Sequence, residues 1–420
     1  MPKDANNSGT SRRQYLKYAS AGSAVALAGC LTGDSGSGSE SIMIGATIPE
    51  SGPYGNIGKN QVKGVELAVK HANEDGDVSD TEVEVAFRDT KTDTQEATQV
   101  ARELLRQENA DFLAGNFSSS VALAIGELAQ REDVIYTCVG GSNAITGSDC
   151  RSNVFNAGNS AVQQTSGGLK YALDEGLGES VYEISADYSW GQSIQAWNEN
   201  QIVSSYDDVE YLGNSFVEFG ATDYSQAITD ARSSGADIIS FNLFASNHVQ
   251  SARQADEYDL FDDFVCVWPA TGIIEAEQIG SDILSRDNFY ASAPWYWQHE
   301  AEGAQAFSEA FQSEYGERPL GFSASMYAGV RTTLKAIDAA GGTETADIRD
   351  QMEDRELFPQ LWGVGEKFRA CDHRASISTM TVQGRDPSDV DGQNFFEVIN
   401  VPQNPEETQM RTCDQTGCSF

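Results

Sequence analysis

An α/β fold of two parallel-sheet layers is what this sequence predicts, on three observations. From Ile42 onward, short apolar runs of strand length alternate with amphipathic helical stretches. The alternation restarts after Val154-Phe155-Asn156 on a similar scale, which makes two layers of comparable size instead of one long sheet. Two helical stretches, 304–315 and 323–339, then follow one another with no strand between them. Strands joined by helices of this length call for right-handed crossovers and sheets covered on both faces.

The run 42–47 is the first strand, and Val62, Val65, Val69 and Ala72 line one face of the helix after it. Strand 83–87 precedes a helix striped by Ala97, Val100, Ala101, Leu104 and Leu105. Strand 112–115, a helix carrying Val121, Ala124, Ile125 and Leu128, and strand 134–138 complete the first layer. In the second layer a helix over 161–174 leads to strand 181–184, helix 191–203 and strand 209–217. Helix 224–232, strand 237–241, helix 246–258 and strand 264–268 follow. Residues 289–295 read as a second passage between layers, and the extended stretches 375–382 and 395–401 return the chain to the second one.

The segment before this body reads as an export address. Ser11-Arg12-Arg13-Gln14-Tyr15-Leu16-Lys17 places a twin-arginine pair ahead of a weakly apolar run, and Leu27-Ala28-Gly29-Cys30 closes it with a cysteine suited to lipid attachment after cleavage. The apolar run is shorter than the roughly 20 residues a membrane span needs. A mature chain starting at Cys30 is expected at the extracellular face of the membrane, held by its lipid, with 31–41 as a Gly/Ser/Asp leash.

The net charge of −37, from 27 basic and 64 acidic residues, excludes nucleic acid and anionic lipid as partners. The carboxylates are dispersed and lysines scarce, none falling between Lys91 and Lys170 or between Lys170 and Lys335. That is the surface of a protein kept hydrated in strong brine. Besides Cys30 there are six cysteines: Cys138, Cys150, Cys266, Cys371, Cys413 and Cys418. Cys413 and Cys418 pair with each other or pin the tail onto the body, while folding before export would leave others as buried thiols.

In open α/β sheets ligands sit at the carboxyl ends of strands. Three first-layer segments fall there: Pro49-Glu50-Ser51-Gly52-Pro53-Tyr54, Gly115-Asn116-Phe117-Ser118-Ser119-Ser120 and Gly140-Gly141-Ser142-Asn143. Serines opening a helix offer hydroxyls and free N–H groups to a small carboxylate, although they also serve simply as caps. In the second layer Asp187-Tyr188-Ser189-Trp190-Gly191, Asn242-Leu243-Phe244 and Pro269-Ala270-Thr271-Gly272 follow strands. Trp190 and Phe244 wall a pocket or pack the core, and Asp187 is a partner for an ammonium group. Trp295-Tyr296-Trp297 lines the cleft or stiffens the hinge.

Signatures of catalysis are poor. Gly52–Lys59 has glycines spaced one residue too far for a phosphate loop, with Asn60 where Ser or Thr is needed. There is no Gly-x-Ser-x-Gly elbow, and His71, His248, His299 and His373 lack metal-ligand spacing. No cofactor, no metal and no enzymatic activity are expected.

In this order the segments resemble the solute-binding lipoproteins of ABC importers, in the branch of branched-chain amino-acid-binding and amide-binding proteins. The resemblance runs from Ile42 to about Val401. It is carried by Thr47-Ile48-Pro49-Glu50-Ser51-Gly52-Pro53, Gly64-Val65-Glu66-Leu67-Ala68, Arg88-Asp89-Thr90, the serine loop, Asp187–Gly191 and Arg369-Ala370-Cys371-Asp372-His373-Arg374. It implies the type I periplasmic-binding-protein fold: two Rossmann-like lobes with three hinge crossings, here 42–157 with 294–360 and 158–293 with 361–401, then a tail 402–420. By the same resemblance Ser118, Ser119, Gly141 and Ser142 hold the ligand's carboxylate and amine. Trp190 and the loop Asn242 to Phe244 close from the other lobe, and Tyr54, after the first strand, is a further ligand-binding candidate. The second-lobe acid that usually meets the ammonium has no single counterpart here, Thr271, Glu275 and Asp187 all lying nearby. The implied function is capture of hydrophobic or branched-chain amino acids for a membrane permease and ATPase, with amide or urea binding, or sensing, as alternatives.

Overall fold

The computed structural model describes residues 41–363 and 365–420, so the leader and Cys30 lie outside the described residues. The first sheet contains β1 (Ile42–Ile48), β2 (Val83–Asp89), β3 (Phe112–Ala114), β4 (Tyr136–Cys138) and β5 (Val154–Asn156), all parallel in the order β2-β1-β3-β4-β5. The inner strands are buried along nearly their whole length, which is why they read as continuous apolar runs; β2, at the edge, is half-buried.

The crossovers are α1 (Gly55–Asp75), α2 (Thr94–Arg106) and α3 (Ser119–Glu132). Helix α1 stops at Gly76, whose φ of 68° suits a residue without Cβ and whose N–H returns to the Ala72 carbonyl. Helix α2 starts at Asp93, whose carboxylate accepts the N–H groups of Gln95 and Glu96.

The second sheet has the order β12-β11-β10-β9-β8-β6-β7. Five strands are parallel: β6 (Ser180–Ala186), β7 (Glu210–Val217), β8 (Ile238–Asn242), β9 (Val265–Trp268) and β10 (Phe289–Ala293). Antiparallel β11 (Met380–Gly384) and β12 (Phe396–Asn400) extend its edge. Trp268 anchors the core, stacked between Phe241 and Phe289 at 4.6 and 4.8 Å. Its helices include α4 (Ala161–Thr165), α5 (Ser189–Trp197), α6 (Ser225–Ser234), α7 (Ser246–Glu257) and α8 (Ile273–Ile279).

The strandless pair, α9 (Glu302–Tyr315) and α10 (Gly321–Ala340), returns to the first lobe. Helix α10 approaches α1 closely because Gly64 has no Cβ, which would lie 2.7 Å from the Ser323 carbonyl oxygen. Asn60 fastens the contact, its Oδ1 accepting the Leu320 N–H and its carbonyl the Ser323 hydroxyl.

Three expectations need correction. Residues 289–293 are a strand of the second sheet, so the passage begins only at Pro294. The helix foreseen over 161–174 is interrupted by a π turn at Ser166–Lys170, where Gly167 presses against the second sheet; a Cβ there would meet the Met380 carbonyl oxygen at 2.7 Å. Residues 361–374 do not leave with the second lobe. Arg374 bridges to Asn156 at the first sheet's edge, and Phe368 and His373 pack on Phe155, so the third passage is 375–379.

The passages are tied to one another. Asn159 donates to the Ser378 carbonyl and the Thr379 hydroxyl, and Gln163 to the Ile377 carbonyl. In the tail, Gln409 pairs with both backbone groups of Thr379. The tail is pinned to the body by Cys150–Cys418 and Cys371–Cys413, while Cys138 and Cys266 are buried free thiols.

Replacing Cys371 and Cys413 by Ser opens a loop of 42 residues, which should cost about 4 kcal/mol by chain entropy. Urea unfolding of the oxidised chain and the double variant measures this, and equal midpoints would show that Cys150–Cys418 and the polar contacts hold the tail without the second disulfide.

Candidate ligand-binding site

The carboxyl ends of both sheets' parallel strands face each other, and the irregular turns beyond them build the site. After β3 the chain reverses through Gly115 (φ 111°) and Asn116 (φ 70°). A Cβ at Gly115 would stand 2.6 Å from the Thr47 carbonyl oxygen. Asn116 Oδ1 takes the Ser118 N–H at 2.8 Å, so neither Ser118 nor Ser119 caps α3 with its side chain. Ser119 Oγ instead accepts the Ser142 N–H at 3.0 Å and stitches the two glycine/serine loops together.

Behind these loops lies Arg374, fully buried. Its Nη1 donates to the Gly140 and Gly158 carbonyls, both at 3.0 Å, its Nη2 to Ser142 O at 3.1 Å and its Nε to Thr146 Oγ1 at 3.1 Å. Burial pulls its pKa down to about 10, with Asp372 acting in the opposite sense. Arg411 of the tail supports the same loop from outside, donating to Asn143 O at 2.8 Å.

Two adjoining cavities of about 30 and 20 Å³ lie between the loops and share Gln164, Phe244, Ala270 and Phe322 as walls. The mouth-side chamber is completed by Tyr54, Phe117, Ser119, Gly141, Tyr188 and Trp190. The hinge-side chamber is completed chiefly by Ile57, Asn159, Thr271, Glu275, Trp295 and Leu320. Gly141 has to be glycine here, since a Cβ would lie 2.5 Å from Cδ1 of the Trp190 indole. Trp190 is then fixed by its Nε1–H to Gln164 Oε1 at 2.6 Å.

Neutral groups close the mouth. The hydroxyls of Tyr54 and Tyr188 share a hydrogen bond of 3.1 Å, those of Ser120 and Ser189 one of 3.2 Å, and those of Ser142 and Ser193 one of 3.0 Å. Burial raises the pKa of both tyrosines, which stay protonated. Burial also lifts the Glu275 carboxyl to about 7, against the pull of the N–H groups of Gly272 and Glu275 itself.

Of the residues singled out from sequence, Tyr54, Ser119, Gly141, Trp190, Phe244 and Thr271 line the chambers. Four do not. Ser118 is a buried turn residue. Ser142 carries the inter-lobe hydroxyl pair and accepts the Ala144 N–H. Asp187 is exposed and accepts from Gln192, so it meets nothing inside. Asn242 lies beneath the site, donating to Glu183 and Ser185 within the second sheet. Sequence reasoning missed Ile57, Asn159, Gln164 and Phe322, and left Glu275 as one of three choices. An acid inside the apolar run Ile273-Ile274-Glu275-Ala276 was the available signal for the last. Trp295 serves both suggested purposes, walling a chamber while its Nε1–H holds Leu361 O.

The arrangement encloses and orients a small molecule. Neither chamber is lined by histidine or cysteine, and among the described residues no group of His, Cys, Asp or Glu side chains could hold a metal ion. Residues 41–388 match the family described as periplasmic binding protein. The chain belongs to that family. It is a family of binding proteins, not of enzymes.

This periplasmic binding protein is 26% identical over 377 residues to Leu/Ile/Val-binding protein homolog 7 of Brucella abortus (strain 2308), covering 83% of this chain and 90% of the relative. Its fold matches the amino acid ABC transporter substrate-binding protein of Pseudomonas fluorescens Pf-5 with a TM-score of 0.83 at 21% identity, over 91% of this chain and 100% of the other. It also matches a solute-binding protein of an ABC transporter from Rhodopseudomonas palustris BisB5, solved with 3,4-dihydroxybenzoic acid, with a TM-score of 0.71 at 17% identity, over 88% and 99%.

A carboxyl titrating near 7 in the fold and near its ordinary value of 4.5 when unfolded favours the folded state fully below pH 4.5 and loses that contribution as pH rises through 7. Glu275→Gln should therefore melt like the parent at pH 4.5 and be more stable by roughly 3 kcal/mol at pH 8 in the absence of solute. Calorimetry at the two pH values tests this, and a gap that does not change with pH would refute it.

Proposed function

We propose that this periplasmic binding protein is the capture subunit of an ABC importer, taking up a small solute of the amino-acid or amide class and presenting it to a permease with its ATPase. The observation carrying this reading is the pair of adjoining chambers enclosed between the strand ends of two lobes, with hydroxyl donors at one end and no catalytic pair beside them. The relatives' names support it: one is a Leu/Ile/Val-binding homologue and another an amino acid transporter subunit. Aliphatic amino acids are the first solutes to try, because Ile57, Leu320 and Phe322 offer hydrocarbon walls.

Binding shifts an existing equilibrium between open and closed lobes, and only the solute's greater affinity for the closed form drives that shift. Closure creates a surface spanning both lobes, which a permease can distinguish from the open form. Export by the twin-arginine pair Arg12-Arg13 and a lipid on Cys30 would keep the protein at the extracellular face, within reach of that permease. The acidic surface fits work in brine, so binding is to be measured in molar salt.

A solute at a hundred times its Kd should stabilise the fold by about 2.7 kcal/mol. Thermal shifts with the twenty amino acids, simple amides, urea and hydroxybenzoates read this directly. Consumption of any of them by the purified protein would refute the capture role. Silence across the whole panel would do the same.

A further inference from the structure

Beyond the three passages, the tail joins the two lobes a fourth time. It leaves the second lobe from β12, whose last residue is Asn400. Ser378 donates to the Pro402 carbonyl at 2.9 Å, and Thr408, Gln409 and Met410 then face Trp197 and Ile202 of the second lobe across a narrow cleft. Trp197 ends α5, the helix that carries Trp190 and Ser193 to the mouth. From Arg411 onward the partners belong to the first lobe. Arg411 holds Asn143 O, Cys413 is bonded to Cys371, Cys418 is bonded to Cys150, and the Phe420 ring stacks on His373 at 4.2 Å. Because 361–374 stay with the first lobe, both disulfides end there.

A segment that is a strand of one lobe at its near end and cross-linked to the other lobe at its far end restrains any motion between the two. Its give is small. Pro405–Thr408 forms a single helical turn, rising about 1.5 Å per residue where an extended chain spans about 3.3 Å. Gln409, 2% exposed, is bound to the third passage itself: its Nε2 donates to Thr379 O and its Oε1 accepts the Thr379 N–H, both at 2.8 Å. Lengthening the connection means unwinding the turn and leaving a buried amide and a buried backbone pair without partners, which is costly. The third passage and the tail cross side by side, so a bend in one has to be followed by the other.

We propose that residues 401–412 are a strap that limits how far the lobes open, its far end fixed by Cys371–Cys413 and Cys150–Cys418. Mutual repulsion of two acidic lobes pushes them apart, and a covalent strap opposes that at any ionic strength. A narrower open state leaves more of the protein in the solute-competent form, and apparent affinity scales with that fraction. The strap serves the capture reading, yet the lobe motion it governs is measured without a solute.

Small-angle X-ray scattering of the solute-free, oxidised full chain in molar salt tests it. The variant inserts about ten Gly/Ser residues between Gln403 and Asn404, both exposed, and adds Gln409→Ala, which slackens the strap but keeps both disulfides. Its radius of gyration should exceed the parent's, roughly 21 Å for a compact body of this size, by about 1 Å. Reducing the disulfides with a phosphine should widen the parent similarly and add nothing to the variant, whose strap is already slack. Cooperative melting separates a wider hinge from a lost fold, since a surface insertion of this kind costs little stability. An unchanged radius in the variant would overturn the strap, and so would reduction that widens both proteins alike. Silence across the solute panel would end the capture reading and leave the strap standing.

Discussion

The buried guanidinium of Arg374 is the constraint on which the rest of the site depends. A buried cation must have partners, and irregular loops carry carbonyls that no sheet ladder can satisfy. Arg374 answers both needs at once by gathering the Gly140, Ser142 and Gly158 carbonyls. Two of these belong to the loop that carries Gly141, and the third to the first passage between lobes. Loop and hinge are thereby set by one rigid fork, whose planar spread of donors a lysine ammonium lacks. The residue comes from a segment held in turn by Cys371–Cys413 and by the Arg369–Asp372 ion pair, with Arg369 also donating to the Arg411 carbonyl. The tail disulfides and the solute loop are therefore parts of one mechanical unit.

That unit explains the pairing of glycine with tryptophan across the cleft. The indole of Trp190 can stand over Gly141 only where no Cβ intervenes, and the loop carrying Gly141 can approach only where its carbonyls are already satisfied from behind. The Trp190 N–H then reaches Gln164, whose own backbone carbonyl accepts the Ser292 hydroxyl at the end of β10. Contacts thus run unbroken from the first lobe's loop, through the indole, to the strand from which the second passage departs.

The alternation of strands and helices in each layer and the loops that meet were legible in the sequence because they depend on local period and on strand-end geometry, whereas the return of α9 and α10 to the first lobe was implied only by the family resemblance. What was not legible depends on contacts distant in sequence. At the π turn Ser166–Lys170, Gly167 packs against Met380, more than two hundred residues away. Asn242 sits at a strand end like any pocket residue, and only Glu183 on the adjacent strand turns it downward into the sheet. Asp187 follows its strand by one residue, yet the nearby amide of Gln192 takes its carboxylate at the surface. Gln164 and Asn159 belong to the passage, whose course no local pattern describes. Ser119 was recognised for its hydroxyl, but its first duty is to the Ser142 N–H, a link between loops that only the folded register creates.

Closure in so acidic a chain raises an electrostatic question, because bringing two negatively charged lobes together opposes itself. Among the described residues no salt bridge spans the mouth; three hydroxyl pairs do so instead, with Phe244 against Phe322 behind them. Neutral hydrogen bonds of this kind contribute about 1 kcal/mol each. Three together amount to a few kcal/mol, the usual separation between two conformers of one protein. A latch of that size holds the lobes shut without locking them, and its strength is not eroded by salt as an ion pair's would be. A solute enclosed between the lobes adds its own differential affinity for the closed form. Such a difference can decide the balance only where the latch is weak; a stronger, charged latch would close the lobes whether or not anything lay between them.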